Sequence, residues 1–323
     1  MTLLRVEDLR VRLPTSSGPV TIVDGVDYQV EQGQVFGVAG ESGSGKTISV
    51  LALMQLLPQG AQVDGRALYD GRDLLSLGPR ALQQMRGRDI AMVFQDPLTS
   101  LHPMLSIGKQ LTEHVRVHED ASRDVAKRRA IELLEEVRIP DPEQAFHSFP
   151  HQFSGGMRQR VAIAIALACR PKVLIADEPT TALDVTVQAG ILRLLDRLRR
   201  ENGLAVILIT HDLGVMSSIA DHVSIFYAGR IVESGPTREL LTKPRHPYTR
   251  ALIDALPHPE AEEGSELVAI GGSPPTPRAR PDGCAFHPRC AYARESCELS
   301  VPSLVPVSDS RLLACPIDPL GPR

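Results

Sequence analysis

Val26, Tyr28 and Val30 alternate with polar neighbours, the two-residue period of a strand that buries one face. The pattern predicts strands over 3–13 and 20–30, parted by the turn sequence Pro14-Thr15-Ser16-Ser17-Gly18-Pro19. Further on, continuous apolar runs replace the alternation. Val35 to Ala39, Val173 to Ala176 and Leu204 to Ile209 read as buried strands, with others around 67–69, 90–94 and 222–227 and a turn at Ala228-Gly229 into Ile231-Val232. Ile48 to Leu57 predicts a helix stopped by Pro58. Helical spacing dominates from 106 to 170, where Val125, Leu133, Leu134 and Val137 form an apolar stripe among charges, and returns in Val187, Ile191, Leu194, Leu195 and Leu198. The order predicts an α/β core with a helical subdomain inserted at about 106–170. No sustained heptad and no internal repeat is visible.

A length of 323 residues suits roughly two domains at about 150 residues each. The hydrophobic fraction of 42% and the charged fraction of 23% are those of an ordinary globular chain. A net charge of −4 gives no basic field for nucleic acid. The start, Met1-Thr2-Leu3-Leu4-Arg5, lacks the layout of a signal peptide, so the expected compartment is the cytosol. The longest apolar run, Val161 to Cys169, is far short of the ~20 residues that a spanning helix needs. Membrane association is therefore expected only through partners.

Gly40-Glu41-Ser42-Gly43-Ser44-Gly45-Lys46-Thr47 fits the phosphate-loop pattern G-x-x-x-x-G-K-[ST] at every fixed position, between a predicted strand and a predicted helix. Glycines let successive amides point at one phosphate chain, and the helix N-terminus adds partial positive charge. Ser42, Gly43, Ser44, Gly45, Lys46 and Thr47 are the candidate nucleotide contacts: Lys46 for the β- and γ-phosphates, the Thr47 hydroxyl for Mg²⁺. Downstream, the strand Val173 to Ala176 runs into Asp177-Glu178. Asp177 is a candidate for holding Mg²⁺, and Glu178 for polarising the attacking water as general base.

Phe153-Ser154-Gly155-Gly156-Met157-Arg158-Gln159-Arg160 resembles the signature sequence of ATP-binding-cassette (ABC) ATPases, with Phe for the first Leu and Met for the usual Gln. Physically, Ser154 caps a helix whose first amides, bare at Gly155 and Gly156, make a second anion seat. In that family the seat faces the γ-phosphate bound by the opposite subunit. The resemblance covers nearly the whole chain. It implies that Gln95 is the Q-loop glutamine, contacting Mg²⁺ and the attacking water. It makes Thr181-Ala182-Leu183-Asp184 the D-loop, with Asp184 at the nucleotide interface, and His211 the switch histidine on the γ-phosphate. It implies a mixed sheet with flanking helices and an N-terminal antiparallel β subdomain. The family also places an aromatic under adenine; here that position is Leu13, which implies an aliphatic contact or weaker base discrimination.

Residues 1–256 thus read as the nucleotide-binding domain, and 257–323 as a linker, rich in breakers at 271–275 and 281–283, followed by a small extension. Pro244 to Leu252 and Cys284-Ala285-Phe286-His287-Pro288-Arg289-Cys290 resemble the C-terminal extension of ATPase subunits from oligopeptide, dipeptide and nickel importers. Four of the five cysteines fall here; Cys284, Cys290, Cys297 and Cys315 are separated by five, six and seventeen residues. Clustered thiols in a cytosolic chain suggest a metal site before disulfides. The spacing is looser than the tight pairs of structural zinc and can equally hold an iron–sulfur cluster. The resemblance implies a [4Fe-4S] cluster on these four residues, serving as a staple, with zinc as the alternative. Cys169 reads as a small buried hydrophobe.

The resemblance implies an ATP-hydrolysing importer subunit for di- or oligopeptides, with nickel or another small solute as the alternative. It sits peripherally on the cytoplasmic face of the cell membrane. Its implied partners are a second ATPase subunit, two transmembrane permeases and an extracytoplasmic substrate-binding protein. A soluble cassette ATPase acting on nucleic acid is disfavoured by the single phosphate loop, the acidic balance and the lack of a long coiled-coil insertion between 47 and 154. A non-hydrolysing regulatory subunit is disfavoured because Lys46, Asp177, Glu178 and His211 keep the chemical types that hydrolysis needs.

Overall fold

The computed structural model describes residues 2–181, 183–256 and 269–321, without the side chains of residues 98 and 99. Part of the expected linker, 257–268, and Ala182 of the expected D-loop lie outside the described residues. In chain order the strands are β1 (Thr2–Leu13), β2 (Val20–Glu31), β3 (Val35–Ala39), β4 (Gln62–Tyr69), β5 (Arg72–Asp73) and β6 (Ile90–Val93). They continue as β7 (Val173–Asp177), β8 (Ala205–Thr210), β9 (His222–Tyr227), β10 (Arg230–Pro236), β11 (Val305–Ser308) and β12 (Arg311–Leu313). The chain divides into two compact units, one of residues 1–30, 35–76 and 210–323, the other of 31–34 and 77–209.

The first unit carries a sheet in the order β2-β1-β4-β5. Strand β1 buries Leu4 and Val6 and then, out of phase, Leu9 and Val11. A bulge between Glu7 and Arg10 resets the phase, with Asp8 in the left-handed region at φ 45°. The extra residue lets four apolar side chains keep to one face despite the odd spacing. Facing it, Gly65 has no room for a Cβ, which would lie 2.5 Å from the Asp8 carbonyl oxygen. The same unit runs β11-β12-β10-β9-β3, parallel between β3 and β9 and antiparallel elsewhere.

The predicted helix after the phosphate-loop sequence runs from Lys46 to Leu53, shorter than the sequence suggests. Pro58 does not end it. Gln55 adopts the left-handed conformation at φ 48°, and the Leu56 amide turns back to the Leu51 carbonyl at 2.9 Å, closing the helix end. The tail also exceeds expectation, because β11 and β12 form a hairpin that extends the sheet from β10. Beside that junction the Glu233 carboxylate is fully buried. It accepts from the Arg245 and His246 amides at 2.9 and 3.0 Å and pairs with the buried Arg311 guanidinium. Arg311 also donates to the Lys243 carbonyl at 2.9 Å. A charge taken this far from water is tolerable only because every oxygen is answered.

The second unit carries the parallel strands β8-β7-β6 with in-register pairs such as Ala176 with Leu208 and Val93 with Ala176. Strand β7 is buried at every position, as its unbroken apolar run requires. Between β6 and β7 lie the helices Ile107–Glu119, Arg123–Glu136, Pro142–His147 and Gly155–Ala166. Ser106, Ser122 and Ser154 each cap a helix by accepting from the amide three residues on. Cys169 lies just past the end of the helix Gly155–Ala166; it is buried, and burial pushes its thiol up to about 11. Gly156 packs against the helix Val185–Asn202 so closely that a Cβ would meet Val187 Cγ1 at 2.4 Å.

Two substitutions test this packing. Arg311→Ala leaves the buried Glu233 charge unanswered, and denaturant unfolding is expected to show a loss of about 3 kcal/mol. Gly156→Ala would gain about 1 kcal/mol of helix propensity but meets a side chain stiff at χ1, so overpacking at about 1–3 kcal/mol wins. Thermal unfolding is expected to show a net loss that Val187→Ala largely restores.

Candidate functional site

Strand β3, buried throughout, delivers the chain to Gly40. There the backbone turns at φ 144°, and the Phe226 carbonyl oxygen lies 2.2 Å from where a Cβ would be, so any side chain is excluded. Gly43 and Gly45 follow at φ 77° and 102°, and Gly45 is the N-cap of the helix Lys46–Leu53. This left-handed sequence is what curls amides toward one point. Ser42, Gly43, Ser44, Gly45, Lys46 and Thr47 thus share one turn and one helix start. The Lys46 ammonium, buried to 5% exposure, donates to the Gly40 and Glu41 carbonyls at 2.7 and 2.9 Å. The Ser44 hydroxyl is buried with no hydrogen-bond partner among the described residues. An orphaned hydroxyl beside a buried ammonium at a helix N-terminus fits an anion.

The loop is also held from outside. The Gly229 amide donates to the Ser44 carbonyl at 2.8 Å, and the Tyr248 hydroxyl accepts from the Glu41 amide at 2.9 Å. His211, in the same unit, stands exposed in the turn after β8, before Asp212 caps the helix Leu213–Ile219. Leu13 closes β1, half-buried. The nearest following aromatic, Tyr28, is committed to the core: its ring stacks on Phe36 at 5.0 Å, and burial raises its phenol.

In the second unit β7 ends in Asp177, buried to 4% exposure, and Glu178 follows at φ 46°. A non-glycine residue in that conformation is strained. Its amide donates to the Ile209 carbonyl at 2.9 Å, which fixes the turn. The Glu178 carboxylate accepts from Gln95 Nε2 at 3.0 Å and from the Thr181 hydroxyl at 2.9 Å, both on Oε2. Gln95, Glu178 and Thr181 therefore form one group. Thr181, named in the sequence only as the first residue of the expected D-loop, is joined by its hydroxyl to Glu178, a contact that three-residue spacing in a turn could have suggested. Asp184 caps the helix Val185–Asn202, accepting from the Val187 amide at 2.9 Å. Ser154, Gly155 and Gly156 open the helix Gly155–Ala166, and Leu183 lies 3.6 Å from where a Gly155 Cβ would be. The first turn of that helix carries no acidic residue, as an anion seat requires.

Cys284, Cys290, Cys297 and Cys315 line one cavity together with His246 and Phe286. Burial pushes the Cys284 thiol up to about 11, with the other three thiols adding to the rise; burial also raises Cys290 and Cys315. Among the described residues no three ligating side chains are drawn together tightly enough to hold a single metal ion. No helix of the described residues is long and apolar enough to cross a membrane.

Residues 23–181 match the ABC transporter family, and residues 232–297 match the oligopeptide/dipeptide transporter C-terminal region. The oligopeptide transport ATP-binding protein of Salmonella typhimurium is 47% identical over 97% of this chain and 93% of its own length. The dipeptide transport ATP-binding protein of Escherichia coli is 44% identical over 99% of each chain. Among solved structures, a dimeric ATP-binding cassette in a post-hydrolysis state with ADP and phosphate superposes with a TM-score of 0.65. It is 26% identical and covers 73% of this chain and 99% of its own. A component of an ABC transporter complex from Clostridium perfringens gives 0.65 at 28% identity, over 75% and 91%. With its phosphate loop, its signature helix and its tail all matched, this chain belongs to the ABC transporter ATP-binding proteins that carry the oligopeptide/dipeptide transporter C-terminal region.

Proposed function

We propose that the chain is the ATP-hydrolysing subunit of an importer, coupling ATP binding and hydrolysis to uptake of di- or oligopeptides through partner membrane permeases. The observation that carries the catalytic part is the Glu178 carboxylate, one residue past the buried Asp177 and oriented by Gln95 and Thr181. Two donors on one oxygen fix the carboxylate's orientation, and orientation is the first requirement of a general base. In this reading Ser42, Gly43, Ser44, Gly45, Lys46 and Thr47 hold the phosphates and Glu178 takes a proton from the attacking water. His211 answers the γ-phosphate, and adenine rests on the aliphatic Leu13. Thr47, Asp177 and Gln95 are the residues that would hold Mg²⁺, which supplies charge neutralisation between the phosphates.

Ser154, Gly155, Gly156 and Asp184 act on the nucleotide of a second ATPase subunit, so that two cassettes are needed for turnover. That dimer, two permeases and an extracytoplasmic substrate-binding protein make up the assembly, with this chain peripheral on the cytoplasmic face of the membrane. Residues 1–256 form the nucleotide-binding domain, including a helical subdomain at about 106–170, and 257–323 the extension. The names of its curated relatives support peptide as the solute.

Cys284, Cys290, Cys297 and Cys315 hold a [4Fe-4S] cluster as a structural staple. The four thiols line one cavity and are the soft donor set that an iron–sulfur cluster takes, with zinc as the alternative.

Glu178→Gln is expected to keep ATP binding while lowering steady-state hydrolysis by about 100-fold or more, the scale of a lost general base. Turnover surviving largely intact would remove Glu178 from the role. Anaerobic purification is expected to yield brown protein with about four irons per chain. Colourless protein with one zinc would replace the cluster.

A further inference from the structure

Arg289 belongs to the Cys284–Cys290 loop, yet its side chain reaches the phosphate loop. It is buried, and its guanidinium meets the Glu41 carboxylate as a fork, at 2.8 and 3.0 Å. Glu41 is the second residue of the phosphate-loop sequence, and its own carbonyl is one of the two that receive Lys46. The fork is itself pinned. Arg289 donates to the Tyr227 hydroxyl at 3.2 Å and to the Gly271 carbonyl at 2.8 Å, and lies over the Tyr227 and Phe286 rings. Phe286 packs on Tyr227 and Tyr248, and Tyr248 holds the Glu41 amide. Glu41 is therefore gripped twice, at its amide by Tyr248 and at its carboxylate by Arg289 of the extension.

We propose that Arg289 is a positioning residue for nucleotide binding, which braces the phosphate loop through Glu41 and cancels a carboxylate that would otherwise face an incoming polyphosphate. The inference rests on reading Gly40–Thr47 as the phosphate seat. Two effects follow from one contact. A planar bidentate fork fixes the carboxylate's direction, which a lysine's single point charge does not. Neutralising Glu41 removes a like charge near the phosphates, where repulsion between anions is weakly screened. Arg289 touches neither nucleotide nor water in this account; it acts through Glu41.

The test is the affinity of the full-length chain for ATP, read by titration with a fluorescent ATP analogue, alongside KM and kcat in the assembled transporter. Arg289→Ala is expected to raise Kd and KM roughly tenfold, with kcat changed much less. Arg289→Lys, which keeps the charge but loses the fork, is expected to fall in between. In a Glu41→Gln background the same Arg289→Ala change is expected to cost less, because the charge to be cancelled is gone. A folded Arg289→Ala protein that binds the analogue within twofold of the unaltered chain overturns the proposal, even if its melting temperature falls, since that pattern marks a purely structural contact. Should Arg289→Ala fail to fold, unchanged affinity in Arg289→Lys overturns it equally. Lys46→Ala separates the two levels: binding that survives that change sinks the phosphate-seat reading itself, whatever Arg289 does.

Discussion

The backbone approach at Gly40 is the constraint from which the rest of the first unit follows. With the Phe226 carbonyl oxygen 2.2 Å from the excluded Cβ, the loop can begin its curl only where no side chain exists. A loop made of glycine and serine has little shape of its own, because glycine restricts the backbone so weakly. Its shape comes from its surroundings: the Gly229 amide on the Ser44 carbonyl, the Tyr248 hydroxyl on the Glu41 amide, and the Lys46 ammonium folded back on two carbonyls. Gly229 is in turn fixed by a close approach of its own, to the Ile22 carbonyl. Preorganisation of this kind puts the ordering cost into folding rather than into binding.

The second unit solves a different problem with the same economy of contacts. On the proposed reading of Glu178 as the base, its carboxylate has to sit at the end of a rigid element and keep one orientation. Strand β7, buried at every position, supplies the rigidity, and the left-handed turn at Glu178 supplies the direction. Such a turn persists only where neighbours over-determine it; the Ile209 carbonyl, Gln95 and Thr181 do so here. Ser154 caps the helix Gly155–Ala166, whose first amides are bare at Gly155 and Gly156, and the close fit to Val187 gives Gly156 a packing reason of its own.

Much of this was legible in the chain because the constraints are local. Continuous apolar runs named β3, β7 and β8, and the glycines of the phosphate loop marked a backbone that only glycine tolerates. What could not be read depends on partners remote in sequence. The bulge at Asp8 reverses the phase of β1, so that a strict two-residue period fails midway. The helix after the phosphate loop stops at Gln55's left-handed turn rather than at the proline, since polar residues also adopt that conformation. Strands β11 and β12 are short, β11 carries Pro306, and the hairpin forms a sheet because β10 offers β12 an edge. The Arg289 fork joins residues 248 apart, with no periodicity or motif to announce it.

The central claim is that hydrolysis takes two cassettes, the signature helix of one completing the phosphate loop of the other. It is tested most directly by the ATPase rate of the purified chain over a wide range of protein concentration. The account predicts a specific rate that falls toward zero on dilution, with total rate rising as the square of concentration where monomers prevail. A specific rate that stays constant down to concentrations at which the chain is monomeric would contradict it.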